Sequence, residues 1–455
     1  MSVLCGGLIA GIVALVTSTA NATPEDDELV QNGHFKAVDQ QTMPEGWTPW
    51  TPLEETSSCT LRVVPDGLLV EAPGRPYAVG GVTQRLKVEG GQAYAVEAIC
   101  RADRLPFPYR SVMIRWNWTK GGKPLTPAGW LVRGPAIDGN VLRFHDVLVA
   151  PKEAEGAELT LDVKWLGEGS VCWKEVSVRP CDPPAPRKVK IGTAYLKPKN
   201  STPQRNLELF CQKIDEAGRL GLDILCLSEA ITIVGTNKTV VDCAEPIPGP
   251  ATERLGRAAK QNHLWVVVGL MERDNGRIYN TAVLLDRDGK IAGKYRKIHL
   301  PREEWRKGIV PGGEYPVFQT DFGTVAIQIC YDWFFPELGT IFGLRGAEIV
   351  FAPTWGTTFA DRDGKVEGET VFRVRARDNG LYLVPSVYDG NSLIIDPVGK
   401  ILASSDGREG VFWSEVDLNQ REPLWWVGYW RSIGPRDRMP TTYAPLLKDP
   451  SKPTY

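Results

Sequence analysis

Three polar residues stand at the ends of strand-like runs and could do chemistry together: Glu229, Lys297 and Cys330. Cys330 closes the run Val325-Ala-Ile-Gln-Ile, apolar and β-branched save for one Gln, and so reads as the end of a buried strand. Pro336 and Glu337 then open a helical run, Pro being suited to a first helical turn. A cysteine at such a strand-to-helix turn is held rigidly, yet faces the crevice where α/β sheets take ligands. An ordinary thiol is mostly protonated at neutral pH, so a nucleophilic Cys330 needs a base and a cation beside it. Two upstream runs offer them. Leu222-Asp-Ile-Leu-Cys-Leu-Ser-Glu229 is an apolar strand ending in a carboxylate, and Lys294-Tyr-Arg-Lys297-Ile-His-Leu-Pro follows a hairpin turning at Asp286-Arg-Asp-Gly289. Taken singly, a lone Cys is most often a core residue, and a strand-end Glu or Lys is most often solvated or salt-bridged. Their ordered company sets these three apart.

The elements that must position them belong to an α/β pattern beginning after residue 188. Val189-Lys-Ile-Gly-Thr-Ala reads as a strand, residues 203–220 as an amphipathic helix and residues 252–262 as a second helix. Leu264-Trp-Val-Val-Val-Gly-Leu is a buried strand, and residues 279–285 and 290–297 form a hairpin. After the Cys330 turn come the strand Glu348-Ile-Val-Phe-Ala, a helix over residues 367–379, the strand Leu381-Tyr-Leu-Val, and closing strands near residues 392–402 and 411–418.

Glu, Lys and Cys in that order, within L-S-E-A, K-Y-R-K-I-H-L-P and I-C-Y-D-W-F-F-P-E, resemble the nitrilase (carbon-nitrogen hydrolase) superfamily over residues 188–447. The resemblance implies a four-layer α-β-β-α sandwich and an amidase-type hydrolase with a Glu229–Lys297–Cys330 triad. Glu229 would take the thiol proton, Cys330 would attack an amide carbonyl or a nitrile carbon, and Lys297 with the backbone N–H of Tyr331 would hold the oxyanion. Water activated by Glu229 would then release the acid. The family also carries a second glutamate between Lys and Cys. Glu304 fits by its offset from Pro311-Gly-Gly, and Glu303 remains an alternative. Tyr331, Trp333, Thr354 and Trp355 would line the substrate pocket by position alone, while Asp332 and Glu337 would orient the loop and cap the helix. The Cys-Tyr-Asp and Pro-Glu run is closer to the amidase and carbamoylase branches than to true nitrilases, so an amide or N-carbamoyl substrate ranks above a nitrile. Where many members have an Asn after the late strand, this chain reads Val384-Pro-Ser386-Val. No cofactor is implied, and the family commonly forms homo-oligomers.

The chain has 455 residues, which suits two or three domains. Its 53 basic and 55 acidic residues leave no basic field for nucleic acid. Residues 1–22 are small and apolar and end in Ala20-Asn21-Ala22, a signal-peptide pattern that lacks a leading Lys or Arg, with an uncleaved anchor as the alternative. Export to a periplasmic or extracellular space follows as the expectation. Residues 27–180 alternate with period two between Gly, Pro and Asp turns and read as an all-β sandwich. This segment resembles the jelly-roll domains of carbohydrate-binding modules, which often begin with an Asn-Gly-x-Phe element such as Asn32-Gly-His-Phe35. Trp47, Trp50, Trp116, Trp118, Trp130, Trp165 and Trp173 would then either stack on sugars or pack the core. Residues 181–188, rich in proline, read as a stiff linker to the hydrolase domain at 189–455. Of nine cysteines, Cys59, Cys100, Cys172 and Cys181 allow several pairings, and the four scattered His give a zinc site no support. A carbohydrate- or surface-binding protein on a retired hydrolase scaffold, and acyl transfer to an acceptor other than water, are the competing functions.

Overall fold

In the computed structural model of the chain, the described residues are 27–37, 43–53, 55–126, 130–356, 367–421, 423–424 and 428–448. The signal-peptide reading lies outside them. The chain divides into two compact units. One comprises residues 1–105, 118–123 and 135–183, the other residues 106–117, 124–134 and 184–455.

The first unit is built of short antiparallel strands: β1 (Thr48–Trp50), β2 (Thr60–Val64), β3 (Gly67–Glu71), β4 (Val79–Lys87), β5 (Ala93–Asp103), β6 (Ala136–Asp138), β7 (Val141–Val149), β8 (Gly156–Lys164) and β9 (Ser170–Cys181). One sheet runs β2-β3-β9-β5-β7-β6, and β1-β4-β8 belong to another. Alternate residues are buried, as in β7, where Leu142, Phe144 and Leu148 are interior and Arg143 and His145 face out. Trp47, Trp118 and Trp173 are buried, so packing rather than display explains them, whereas Trp50 is 37% exposed. Cys100 pairs with Trp173 and Cys172 with Arg101, one step out of register. The two cysteines therefore point to opposite faces of the sheet and stay free, as do all eight described cysteines.

The second unit holds two six-stranded mixed sheets. The first has the order β14-β13-β12-β11-β10-β21, from β10 (Lys188–Tyr195), β11 (Ile224–Cys226), β12 (Trp265–Asp274), β13 (Arg277–Leu285), β14 (Ile291–Arg296) and β21 (Gly410–Asp417). The second runs β15-β16-β17-β18-β19-β20, from β15 (Val317–Gln319), β16 (Thr324–Ile327), β17 (Ile349–Pro353), β18 (Tyr382–Ser386), β19 (Leu393–Ile395) and β20 (Ile401–Ser404). In each the central three strands are parallel, which explains their unbroken apolar runs: both faces are covered.

The strand pleat divides these residues between two cores. Ile224, Cys226 and Val267 share one with Val325, Ile327, Phe351 and Leu383 of the other sheet. The alternate residues Leu225, Leu227, Val266 and Val268 pack against α1 (Pro203–Arg219) and α2 (Pro250–Gln261) through Phe210, Ile214, Leu255 and Ala259. On the second sheet, Leu338 and Phe342 of α3 (Pro336–Leu344) and Phe372 and Ala376 of α4 (Glu367–Asn379) join the first core. Proline at the start of α1, α2 and α3 sits where a missing N–H costs nothing, and Thr202 Oγ1 caps α1 by accepting from Arg205 N at 3.1 Å. No helix among the described residues is long and apolar enough to cross a membrane.

A line of buried hydroxyls ties the sheets together. Thr193 Oγ1 donates to Pro385 O, and Ser386 Oγ and Ser392 Oγ both donate to Ala194 O, each at 2.8 Å. Phe351, fully buried between the sheets, is the simplest test of this packing. Phe351→Ala should cost about 3–5 kcal/mol, read as a lowered midpoint in guanidinium unfolding.

Candidate active site

Each sequence-marked residue lies just beyond a strand's C-terminal end. Glu229 follows β11, Lys297 follows β14 and Cys330 follows β16. The structure brings all three to one cavity of about 480 Å³, together with Glu304 from a short helical turn at Arg302–Trp305. Lys297 is 1% exposed, and its Nζ donates to Glu229 Oε1 at 2.9 Å and to Glu304 Oε1 at 2.7 Å. Glu304 is thus the second glutamate beside the lysine. Glu303 is exposed and pairs with Arg302 at 3.3 Å.

A fourth group joins the cluster that residue spacing did not reveal. Asn280, buried on β13, donates from Nδ2 to the same two oxygens, Glu229 Oε1 at 2.7 Å and Glu304 Oε1 at 3.1 Å. Its own backbone carbonyl accepts from Lys297 N at 2.9 Å. The signal was present as a polar pair, Asn280-Thr281, directly before the apolar run of residues 282–285. Tyr388 was also missed. Its hydroxyl donates to the Glu229 carbonyl at 2.6 Å, where Ala230 turns into the left-handed region with φ +48°.

Cys330 also has positive φ, +41°, an uncommon conformation for a side-chain-bearing residue. Asp332 holds it there. This fully buried carboxylate accepts from Ile329 N at 3.0 Å, Tyr295 Oη at 2.7 Å and His299 N at 3.0 Å, and His299 Nδ1 lies 2.9 Å from it. The His299 ring stacks on Phe335, centroids 3.8 Å apart. The turn that carries the thiol is thereby tied to the strand end that carries Lys297.

The electrostatics follow from burial. Burial raises the Cys330 thiol, the Glu229 carboxylate raises it further, and Lys297 and the Trp355 backbone amide oppose, leaving it at about 12. The resting thiol is therefore protonated at neutral pH. Burial alone would discharge Lys297, but Glu229, Cys330 and Glu304 outweigh it and hold the ammonium above its ordinary value. Burial lifts Glu304 to about 7, Lys297 pulling it down and Glu229 pushing it up. With Oε1 of each glutamate engaged, Oε2 of Glu229 and Oε2 of Glu304 are buried without a hydrogen-bond partner. Among the described residues, no cluster of His, Cys, Asp and Glu could hold a metal ion.

Tyr331 and Trp355 line the cavity, with Ile233, Val240, Met271 and Phe334 as apolar wall. Trp333 and Thr354 do not. Trp333 is buried, stacked on Phe334 at 4.0 Å and tilted against Phe372 at 5.2 Å, and Thr354 is wholly buried with Oγ1 donating to Ala352 O at 2.8 Å. Both were placed by proximity in sequence, and the tight turn after Cys330 and the pleat of β17 send them inward instead.

Residues 190–424 match the family model described as carbon-nitrogen hydrolase. The chain is 32% identical over 232 residues to omega-amidase NIT2 of Xenopus tropicalis, covering 47% of this chain and 83% of that protein. It is 30% identical to probable nitrilase C965.09 of Schizosaccharomyces pombe, covering 57% of this chain and 99% of that protein. A carbon-nitrogen hydrolase structure from Helicobacter pylori aligns with TM-score 0.48 and 22% identity, over 58% of this chain and 99% of that one.

Two outcomes follow from this geometry. Glu304 has a folded-state value above its unfolded one, so its contribution to stability is fully present below about 4.5 and is lost as pH rises through about 7. Glu304→Gln stays neutral throughout, so its unfolding free energy from denaturant titration should gain on that of the natural protein as pH is raised from 4 to 8, by roughly a kcal/mol or more. Asp332→Ala strands several buried donors at once and should lower stability by about 3 kcal/mol in denaturant titrations.

Proposed function

This chain belongs to the carbon-nitrogen hydrolase family and is an amidase-type enzyme, and from that premise we propose that it hydrolyses a small amide or N-carbamoyl compound through an acyl-cysteine intermediate. The observation that carries the proposal is the buried ammonium of Lys297, held between Glu229 and Glu304 in the cavity that Cys330 faces.

The steps balance on the residues present. Glu229 Oε2, which has no other partner, takes the proton from Cys330 Sγ as sulfur attacks the carbonyl carbon. The carbonyl π pair moves to oxygen. An ammonium has three N–H donors, and two of those on Lys297 are spent on the glutamates, so the third is left for this oxyanion. The backbone N–H of Tyr331 is the second donor in this scheme. Collapse breaks the C–N bond, and the leaving amine or ammonia takes the proton from Glu229. Water then loses a proton to Glu229, attacks the thioester and releases the carboxylic acid, and the proton returns to sulfur.

The four-layer α-β-β-α reading of this unit rests on the core shared by its two sheets and on the helix pairs packed against them. The N-terminal antiparallel unit is read as an accessory β-sandwich and a candidate glycan contact, and the apolar pattern of residues 1–22 supports export.

The test is ammonia release from a panel of amides, N-carbamoyl amino acids and nitriles, with the natural protein beside Cys330→Ala and Lys297→Ala. Release should vanish in the first variant and fall by about 10²–10³ in the second. Equal release from Cys330→Ala would remove the thiol from the mechanism. Transfer of the acyl group to added hydroxylamine, in place of water, would show the thioester.

A further inference from the structure

We propose that Asn280 is a positioning residue of this reaction: with Lys297 it pins Oε1 of both glutamates, leaving Oε2 of Glu229 available to the Cys330 thiol. The proposal rests on the hydrolase reading given above. Its basis is a closed arrangement of two donors and two acceptors. Lys297 Nζ and Asn280 Nδ2 each reach Glu229 Oε1, at 2.9 and 2.7 Å, and each reach Glu304 Oε1, at 2.7 and 3.1 Å.

A carboxylate held by a single donor can turn about its last side-chain bond and exchange the oxygen it presents. Here the second oxygen of each glutamate is buried without a hydrogen-bond partner, the Cys330 thiol being the group that meets the Glu229 carboxylate. Leaving such an oxygen unpaired is costly. Two donors on one oxygen fix the carboxylate's rotation and hold the other oxygen apart. Remove Asn280, and Glu229 is free to turn so that Oε2 also approaches Lys297. The base is then withdrawn from the thiol, and the third N–H of Lys297 is withdrawn from the oxyanion. An amide suits this place better than a second cation. It donates to two anions without adding charge to a site that already holds Glu229, Glu304, Lys297 and Cys330. Its backbone is fixed by the hydrogen bond from Lys297 N to the Asn280 backbone carbonyl, while its side-chain Oδ1 is buried without a partner, so the amide is oriented by its bonds to the two glutamates. Asn280 Nδ2 also draws the Glu304 carboxyl downward, opposing the effect of burial.

The experiment uses the full chain and a readout that needs no known substrate: the rate at which iodoacetamide alkylates Cys330, followed on its peptide by mass spectrometry from pH 6 to 9. Asn280→Ala should slow alkylation at pH 7 by about ten- to a hundredfold, the size of one charge-assisted hydrogen bond. On a substrate found in the amide panel, kcat should fall by a similar factor, with KM little changed. Asn280→Asp covers the case in which the alanine variant does not fold, because it is isosteric. It sets a third carboxylate against Glu229 and Glu304, and regains a donor only when protonated. Its reactivity should therefore recover as pH is lowered from 8 to 6, opposite in slope to the natural protein. A folded variant of either kind whose alkylation profile superimposes on the natural one would overturn the proposal. Full ammonia release by Cys330→Ala would instead overturn the thiol mechanism proposed above, and the alkylation comparison would still decide whether Asn280 orders the cluster.

Discussion

A buried ammonium sets the terms for the rest of this site. Lys297 is almost wholly removed from solvent, and an unpaired charge in such a place costs several kcal/mol. It is tolerable only with anions in contact, and Glu229 and Glu304 provide them. Two carboxylates brought that close repel one another, and the repulsion is relieved by donors shared between them. Asn280 is the neutral one. Each member thus makes the next permissible, and loss of any one leaves another uncompensated.

That mutual dependence constrains the fold around it. The four groups arrive from separate places in the chain: the ends of β11 and β14, the interior of β13 and the turn before Ile309. A fifth, Cys330, comes from the other sheet. Sub-ångström agreement between them requires two sheets that cannot slide. The hydroxyl line through Thr193, Ser386 and Ser392 supplies polar pins between the sheets where apolar packing alone is non-directional. Ser228 Oγ, next to Glu229, lies 2.9 Å from Ser386 Oγ and continues that line to the site. Asp332 does the corresponding work between the Cys330 turn and the Lys297 strand end.

Much of this was legible in the sequence, for physical reasons. Strands buried on both faces are continuous apolar runs, so a carboxylate and a thiol at their ends stand out; Lys297 instead ends the mixed, half-exposed edge strand β14 and is marked by its place after the hairpin, and the structure brings Glu229, Lys297 and Cys330 together. Glu304 could be preferred over Glu303 from its offset, and it is the one that meets Lys297. Trp333 and Thr354 were misplaced because adjacency to a functional residue says nothing about direction. In a tight 3-10 turn or an extended strand, the next side chain points elsewhere. Asn280 and Tyr388 were missed for the converse reason. Each acts through one hydrogen bond network across the fold, and no local period or spacing encodes a partner dozens of residues away. The tryptophans of the first unit show the same limit, since alternation predicts a sandwich strand but not which side of it is covered.

The charge inventory explains why a thiol held at about 12 is compatible with the proposed reaction. A preformed thiolate would add a negative charge beside Glu229 and Glu304, and the site resists that. Transfer of the proton to Glu229 in concert with attack adds none. One negative charge leaves the Glu229 carboxylate and one arises on the substrate oxygen, so the total within the cavity is constant. Lys297 faces both positions, and its attraction is passed from the first to the second without movement of the ammonium. What changes is only the location of the charge, over a few ångströms, between groups that are already oriented. Preorganisation of that kind lowers a barrier most where water is scarce. The same burial that makes Cys330 a poor resting nucleophile therefore makes it an effective one once an electrophilic carbonyl carbon is within reach.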